Sequence, residues 1–309
     1  MTAPATTADL PPATPRGRGP ASVRRALLTW IYRRGRLQLG VLLLPPLAWL
    51  GLIYLGSLAI LFLTSLWHLN PEGRIVREIG LVNFQTLLDP AKPYLGVTLH
   101  TLGMAVAVTI ADFVLALPLA YYMARVASAR TRNLLFIAIL MPLWVSYLVR
   151  VYSWRLILSE EGPLSWLLGL VGAQGPGAIG DGPIWIVFTY IWLPFMILPV
   201  FAGLERIPDS LFEASADLGA RGWTTLRRVV LPLGLPAVAA GSIFTFSLTL
   251  GDYITPTLFS GSQFIGNVVY NHVGVAGNYP FAAAFAIFPV VIVGAYLLVV
   301  RRLGAFEAL

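Results

Sequence analysis

Long apolar stretches with almost no charge dominate this chain, at residues 39–67, 97–124, 133–154, 183–204, 233–259 and 280–300. A helix of about 20 apolar residues crosses roughly 30 Å of hydrocarbon. In lipid no water satisfies the backbone, so only helices and closed barrels span it. Stretches of this length predict an all-α integral membrane fold with six transmembrane helices. Composition agrees: 57% of the 309 residues are hydrophobic and 11% are charged, against about 25% charged in a soluble domain. A soluble fold of this size has too little interior to hide such an excess.

The net charge of +7 points to orientation rather than to nucleic acid. Basic residues fall in short clusters between the apolar runs, not along one face. With the N-terminus inside, the inner segments hold sixteen of the 21 Lys and Arg residues, seven of them in the N-terminal tail. The outer segments hold Arg74, Arg77, Lys92, Arg150 and Arg155. That asymmetry predicts both termini in the cytoplasm. Residues 1–36 read as a basic cytoplasmic tail, largely disordered because its Pro, Thr, Ala and Gly content shows no periodicity. Residues 37–305 form the membrane domain. In the outer loop 155–182, the apolar patch 164–171 is too short to span and reads as a helix lying on the surface, or as a docking surface.

Several chemistries lack their residues. There is no cysteine, and His68, His100 and His272 fit no metal-ligand spacing. No His-Glu-x-x-His pair exists, and a serine nucleophile would find no base within the spans apart from His100 near an outer end. The single lysine, Lys92, lies between Pro90-Ala91 and Pro93, which is no phosphate-binding loop. A membrane-embedded enzyme is disfavoured. A stand-alone channel or secondary transporter stays open on composition alone.

The segment between the fourth and fifth runs is the most informative. Asp209 or Ser210 is placed to cap a short helix, Glu213 and Asp217 lie one turn apart on it, and Gly219 can take the left-handed conformation that ends it. Gly222 allows a second bend, and Pro232 marks the start of the next span. The expectation is a helix–turn–helix elbow within about residues 205–232. Its residues read Glu213-Ala214-Ser215-Ala216-Asp217-Leu218-Gly219-Ala220, and later Val229-Val230-Leu231-Pro232. This resembles the cytoplasmic-loop signature of permease subunits of binding-protein-dependent ABC importers, with Ser215 replacing an alanine and Val229 an isoleucine. The resemblance implies the type I importer permease architecture in the cell (inner) membrane. It implies an elbow that docks on a separate dimeric ATPase, which binds ATP and Mg, so that this chain is not an enzyme and holds no cofactor. It also implies a second, different permease subunit and an extracytoplasmic solute-binding protein.

Two further stretches, 141–154 and 251–256, with Gly266-Asn267 and Asn278-Tyr279-Pro280, are similar to spermidine/putrescine-type permeases. The implied solute is a small cation such as putrescine or spermidine. An amino acid-like solute, an opine or a metal is the alternative. Independently of the resemblance, acids inside a membrane are costly, at about 2.5–3.5 kcal/mol on insertion scales, and mark candidate sites. Two fall in the runs, Asp112 and Asp252, at different depths. Each ends a stripe at helical spacing: Thr98, Thr101, Thr109 and Asp112, and Ser242, Thr245, Thr249 and Asp252. Such faces are expected to line a path, or else to hydrogen-bond across packed helices, with Asp252 capping or pairing locally, for instance with Arg150. Trp144, Tyr147, Trp192 and Tyr253 are among the aromatics offering cation–π contacts, if they do not belong to the interfacial belt.

Overall fold

The computed structural model describes residues 35–259 and 261–302; most of the basic tail and the last seven residues lie outside them. The chain divides after Ile60 into two units. The first is helical through its described part: α1 (Gly35–Trp49), a π-helical turn (Leu50–Leu55) and the start of α2 (Gly56–Ser65). Pro45 and Pro46 sit inside α1. The second unit continues with a two-stranded ribbon, β1 (His68–Leu69) and β2 (Ile75–Val76), paired antiparallel, then α3 (Val82–Leu88). Then come α4 (Tyr94–Arg125), α5 (Ala129–Trp144), α6 (Tyr147–Leu158), α7 (Pro163–Gly169) and α8 (Asp181–Glu205). After these follow α9 (Asp209–Asp217), α10 (Gly222–Thr225), a π-helical turn (Leu226–Val230), α11 (Leu231–Gly251), α12 (Ile254–Phe259), α13 (Ile265–Gly274) and α14 (Tyr279–Arg301).

Among the described residues five helices are long and apolar enough to cross a membrane, and a bent pair makes a sixth candidate. The expected third span is that pair. It is not one rod across 133–154: the chain turns by 97° between α5 and the helices after Trp144. Pro142 lies in the last turn of α5, and Val145 and Ser146 are extended with ψ of 138° and 137°. A proline near a helix end and a β-branched residue after it favour a break, while the hydropathy runs on across it.

The core lies among α4, α8 and α11. His100 at one end of α4 shares a 2.9 Å hydrogen bond with Asp181 of α8, and Arg125 at the other end bonds the carbonyl of Leu204 at 2.6 Å. These pairs are offset by 81 and 79 residues, so α4 and α8 run parallel and in register. By that register Asp112 lies level with Leu193. One apolar cluster packs Met104 and Val108 against Phe188, Ile191 and Trp192, and a second packs Ala116 and Ala120 against Met196, Val200 and Leu204. Helix α11 runs antiparallel to both. A methyl group at Gly203 of α8 would come within 2.2 Å of the Ala237 methyl of α11. Only glycine permits that approach, as is common where membrane helices touch.

Helix α11 also departs from the boundaries read at each end. The helical path begins earlier than read, at Gly222, and runs to Gly251; Pro232 sits in the first turn of α11, after the π-helical turn Leu226–Val230. Proline cannot donate to a carbonyl four residues back, and just before it the ladder shifts: the Leu231 amide reaches Leu226 O, five residues back. At the other end the helix stops before Asp252, whose ψ is 133°. Asp252 therefore occupies a break and not a span interior.

Candidate functional site

At the end of the bundle where α4 and α8 stop, α9 and the start of α10 form the elbow. Neither Asp209 nor Ser210 caps α9; Pro208 holds the N-cap position, with no side-chain cap bond. Asp209 instead sits in the first turn and accepts from Arg125 Nη1 at 2.6 Å. The helix ends as the glycine requires. Gly219 has φ of 73°, its amide bonds Ala216 O at 2.8 Å, and the Ala220 amide bonds Ser215 O at 3.0 Å. This paired closure of the last turn is the Schellman motif, with the left-handed residue just past the cap.

Side chains of the elbow divide by direction. Ser215 is buried and its hydroxyl meets Thr225 Oγ1 at 2.9 Å, tying the two arms together. Glu213, Ala214, Ala216, Asp217 and Gly219 are exposed, Ala220 is half-buried, and Leu218 is 88% exposed. Trp223, which sequence reasoning passed over, is 70% exposed. A cleft of about 410 Å³ between the arms is lined by Leu211, Ala214, Leu218, Ala220 and Thr224 among others. Pro232 is exposed on α11 and lies outside that cleft. The elbow is thus a stapled, outward-facing unit offering apolar surface beside acidic residues.

Toward the opposite end, the break at Asp252 meets the start of α6. Tyr147 donates its hydroxyl to Asp252 Oδ2 and shares a 2.8 Å hydrogen bond with Thr255. Oδ1 of Asp252 accepts from the amides of Ile254 at 2.7 Å and Thr255 at 3.2 Å, capping α12. The local-capping reading is correct for Asp252. Pairing with Arg150 does not occur: among the described residues Asp252 is in no ion pair. Neutral donors therefore orient this carboxylate and leave its charge without a counter-ion. An open cleft of about 320 Å³ is lined by Tyr147, Trp192, Ser247, Gly251, Asp252 and Tyr253. Tyr147 and Trp192 stack at 5.9 Å and 15°. A second cleft of about 430 Å³ shares Gly251 and Tyr253 and adds Tyr270, whose ring stacks on Tyr253 at 4.9 Å.

Other residues of the expected path and its stripes do not join this cleft. Trp144 is 91% exposed at the end of α5. Thr245 and Thr249 are fully buried, and their hydroxyls bond carbonyls of their own helix, Ser242 O at 3.3 Å and Thr245 O at 2.7 Å. Thr98, Thr101 and Thr109 likewise bond the carbonyl four residues back. Hydroxyls satisfied in this way bury without cost in partners, so the stripes form a packing seam where Thr109 and Thr245 meet at 3.4 Å. Asp112 is fully buried on the same seam, and neither carboxylate oxygen has a hydrogen-bond partner among the described residues. The cleft wall on α11 comes from Ser247, Leu248 and Gly251, off the stripe, which is why helical spacing did not single out Ser247.

Residues 116–306 match the family described as binding-protein-dependent transport system inner membrane component. The inner membrane ABC transporter permease protein YdcU of Escherichia coli K12 is 47% identical over 289 residues, covering 88% of this chain and 92% of that one. The spermidine/putrescine transport system permease protein PotB of the same organism is 33% identical, covering 82% of this chain and 93% of that one. Among solved structures, a bacterial ABC transporter involved in import of the acidic polysaccharide alginate aligns at a TM-score of 0.71 with 20% identity. It covers 90% of this chain and 98% of that chain, which is a likeness of fold.

Proposed function

The chain belongs to the binding-protein-dependent inner membrane permease family, and from that membership we propose that it helps form the path for a small cationic solute such as putrescine or spermidine. It is a permease subunit of an ABC importer. In the proposal it pairs with a second, different permease, receives solute from an extracytoplasmic binding protein, and is driven by an ATPase dimer that binds ATP and Mg. The elbow faces the cytoplasm together with both termini, in keeping with the excess of arginine on that side. Glu213, Ala214, Ala216, Asp217, Leu218 and Gly219 present the docking surface, and Ser215 holds its shape.

One observation carries the solute reading: the cleft in which Asp252, oriented by neutral donors and in no ion pair among the described residues, lies beside the stacked rings of Tyr147 and Trp192. An ammonium group entering there meets an uncompensated negative charge and aromatic faces, each of which attracts it. The likeness to a spermidine/putrescine permease along 82% of the chain supports the same reading. A second reading is an amino acid-like solute. It is favoured by buried donors without partners among the described residues, Trp192 Nε1 in the cleft and Arg150 Nε and Nη1 near Tyr147, which suit a carboxylate. The test is ATP-driven uptake by the complete complex with Asp252→Asn. Diamine uptake should fall at least about tenfold, equivalent to ~1.4 kcal/mol, with uptake of an amino acid less affected. Unchanged diamine uptake would remove Asp252 from the path, and preferential uptake of the amino acid would establish the second reading.

A further inference from the structure

The last residue of α4 gathers the elbow, the end of α8 and itself into one joint. The Arg125 side chain is only 14% exposed. Its Nη2 donates to Leu204 O at 2.6 Å and also to Ile207 O, and its Nη1 donates to Asp209 Oδ1 at 2.6 Å. The guanidinium carbon lies 4.4 Å from the centre of the Phe212 ring, on the second turn of α9. One planar group thus fixes the closing carbonyls of α8, the linker after it and two residues of the elbow helix. Carbonyls at a helix C-terminus carry partial negative charge and favour a cation. A guanidinium has the fork of donors and the flat face to serve all of these at once, which an ammonium lacks.

Among the described residues no hydrogen bond or ion pair of this kind is seen between the elbow helix and α5. In the nearby pair of Arg132 and Glu205, at 3.0 Å, the arginine is the more exposed of the two, at 37% against 14% for Arg125, and its partner lies on α8 rather than on α9. Helix α4 in turn runs in register with α8 past the level of Asp112 to the His100–Asp181 contact at the far end. Arg125 thus links α9 to α4, while Ser215 and Thr225 link α9 to α10, which leads into α11.

We propose that Arg125 is a positioning residue for coupling: it passes movement of the elbow to α4, so that ATP hydrolysis becomes movement of the helices around the solute path. This rests on the reading of the elbow as the ATPase docking element. The test uses the complete complex in lipid nanodiscs and proteoliposomes, with three readouts: retention of the ATPase subunits, ATP hydrolysis, and solute moved per ATP hydrolysed. For Arg125→Ala, the ATPase should remain bound and hydrolysis should stay within about twofold. Solute moved per ATP should fall about tenfold or more, because each charge-assisted bond lost is equivalent to a factor of that order. Arg125→Lys should recover part of the loss, and Arg132→Ala should leave the ratio unchanged. A normal ratio in Arg125→Ala, or an equal loss in Arg132→Ala, overturns the proposal. If Arg125→Ala does not assemble, Asp209→Ala and Phe212→Ala decide, since each removes one contact of the joint: a lowered ratio in either supports it and a normal ratio in both overturns it. Leu218→Asp tests the elbow separately. If it weakens neither ATPase retention nor transport, the docking reading fails, whatever the Arg125 variants do.

Discussion

Replacing Gly219 isolates a backbone requirement from every side-chain contact. The residue has φ of 73°, and a methyl group built there would meet no atom within 4 Å. Gly219→Ala therefore carries no steric penalty from neighbours. Its whole cost is that of the left-handed conformation for an L-residue, about 1–2 kcal/mol. If the elbow must hold that turn to dock, the competent population falls by a factor of about 5–30. Asparagine tolerates the left-handed region far better than alanine, and β-branched valine tolerates it worst. Gly219→Pro fixes φ near −65° and also removes the amide that bonds Ala216 O. The expected order of ATP-driven uptake is glycine, asparagine, alanine, valine, proline, with membrane insertion equal throughout. Amide hydrogen exchange over residues 218–222 should quicken in the same order. Alanine and valine variants that match the wild type in both assays would refute the argument, and so would asparagine performing worse than alanine.

Gly203→Ala should force α8 and α11 apart, at a cost of about 1–3 kcal/mol for an overpacked contact. The melting temperature in detergent should drop, and a second change, Ala237→Gly, should restore it; a drop that the second change does not reverse would contradict the close contact. Tyr147→Phe removes the hydroxyl shared by Asp252 and Thr255, a bond to a charged group worth about 1.5–3 kcal/mol. Diamine uptake and thermal stability should both decline, and a variant normal in both would show that Asp252 is oriented by its backbone donors alone.

The sequence was most informative where structure is set locally. Gly219 ends α9 by letting its own amide reach three residues back and the Ala220 amide five residues back, so the motif contains its own geometry. The long spans were legible for a similar reason, since length and hydropathy alone satisfy the lipid requirement. Pro232 sits in the first turn of α11, where proline is favoured, whereas the π-helical turn ahead of it, with the Leu231 amide on Leu226 O, leaves no mark in composition. The break after Trp144 was hidden by continuous hydropathy. Helical spacing grouped the threonines correctly but could not say what they face, because a hydroxyl bonded to its own helix needs no path. The Tyr147–Asp252 contact joins residues 105 positions apart, and the Arg125 joint spans a similar gap. Only the tertiary fold brings such pairs together.

The most direct test of the central claim is a single-cysteine crosslink. The chain contains no cysteine, so Leu218→Cys introduces a unique thiol at a site 88% exposed on the elbow. Trp166→Cys on α7 provides a control, since α7 packs through Leu164 on the cluster around Ile184, near the opposite end of α8. In the assembled complex, a short thiol-to-amine crosslinker should join the Leu218 variant to the ATPase subunit, with a yield that changes when ATP is bound, and should not join the Trp166 variant to it. Absence of that product from an intact, ATP-hydrolysing complex, or its appearance from Trp166→Cys instead, would contradict the account.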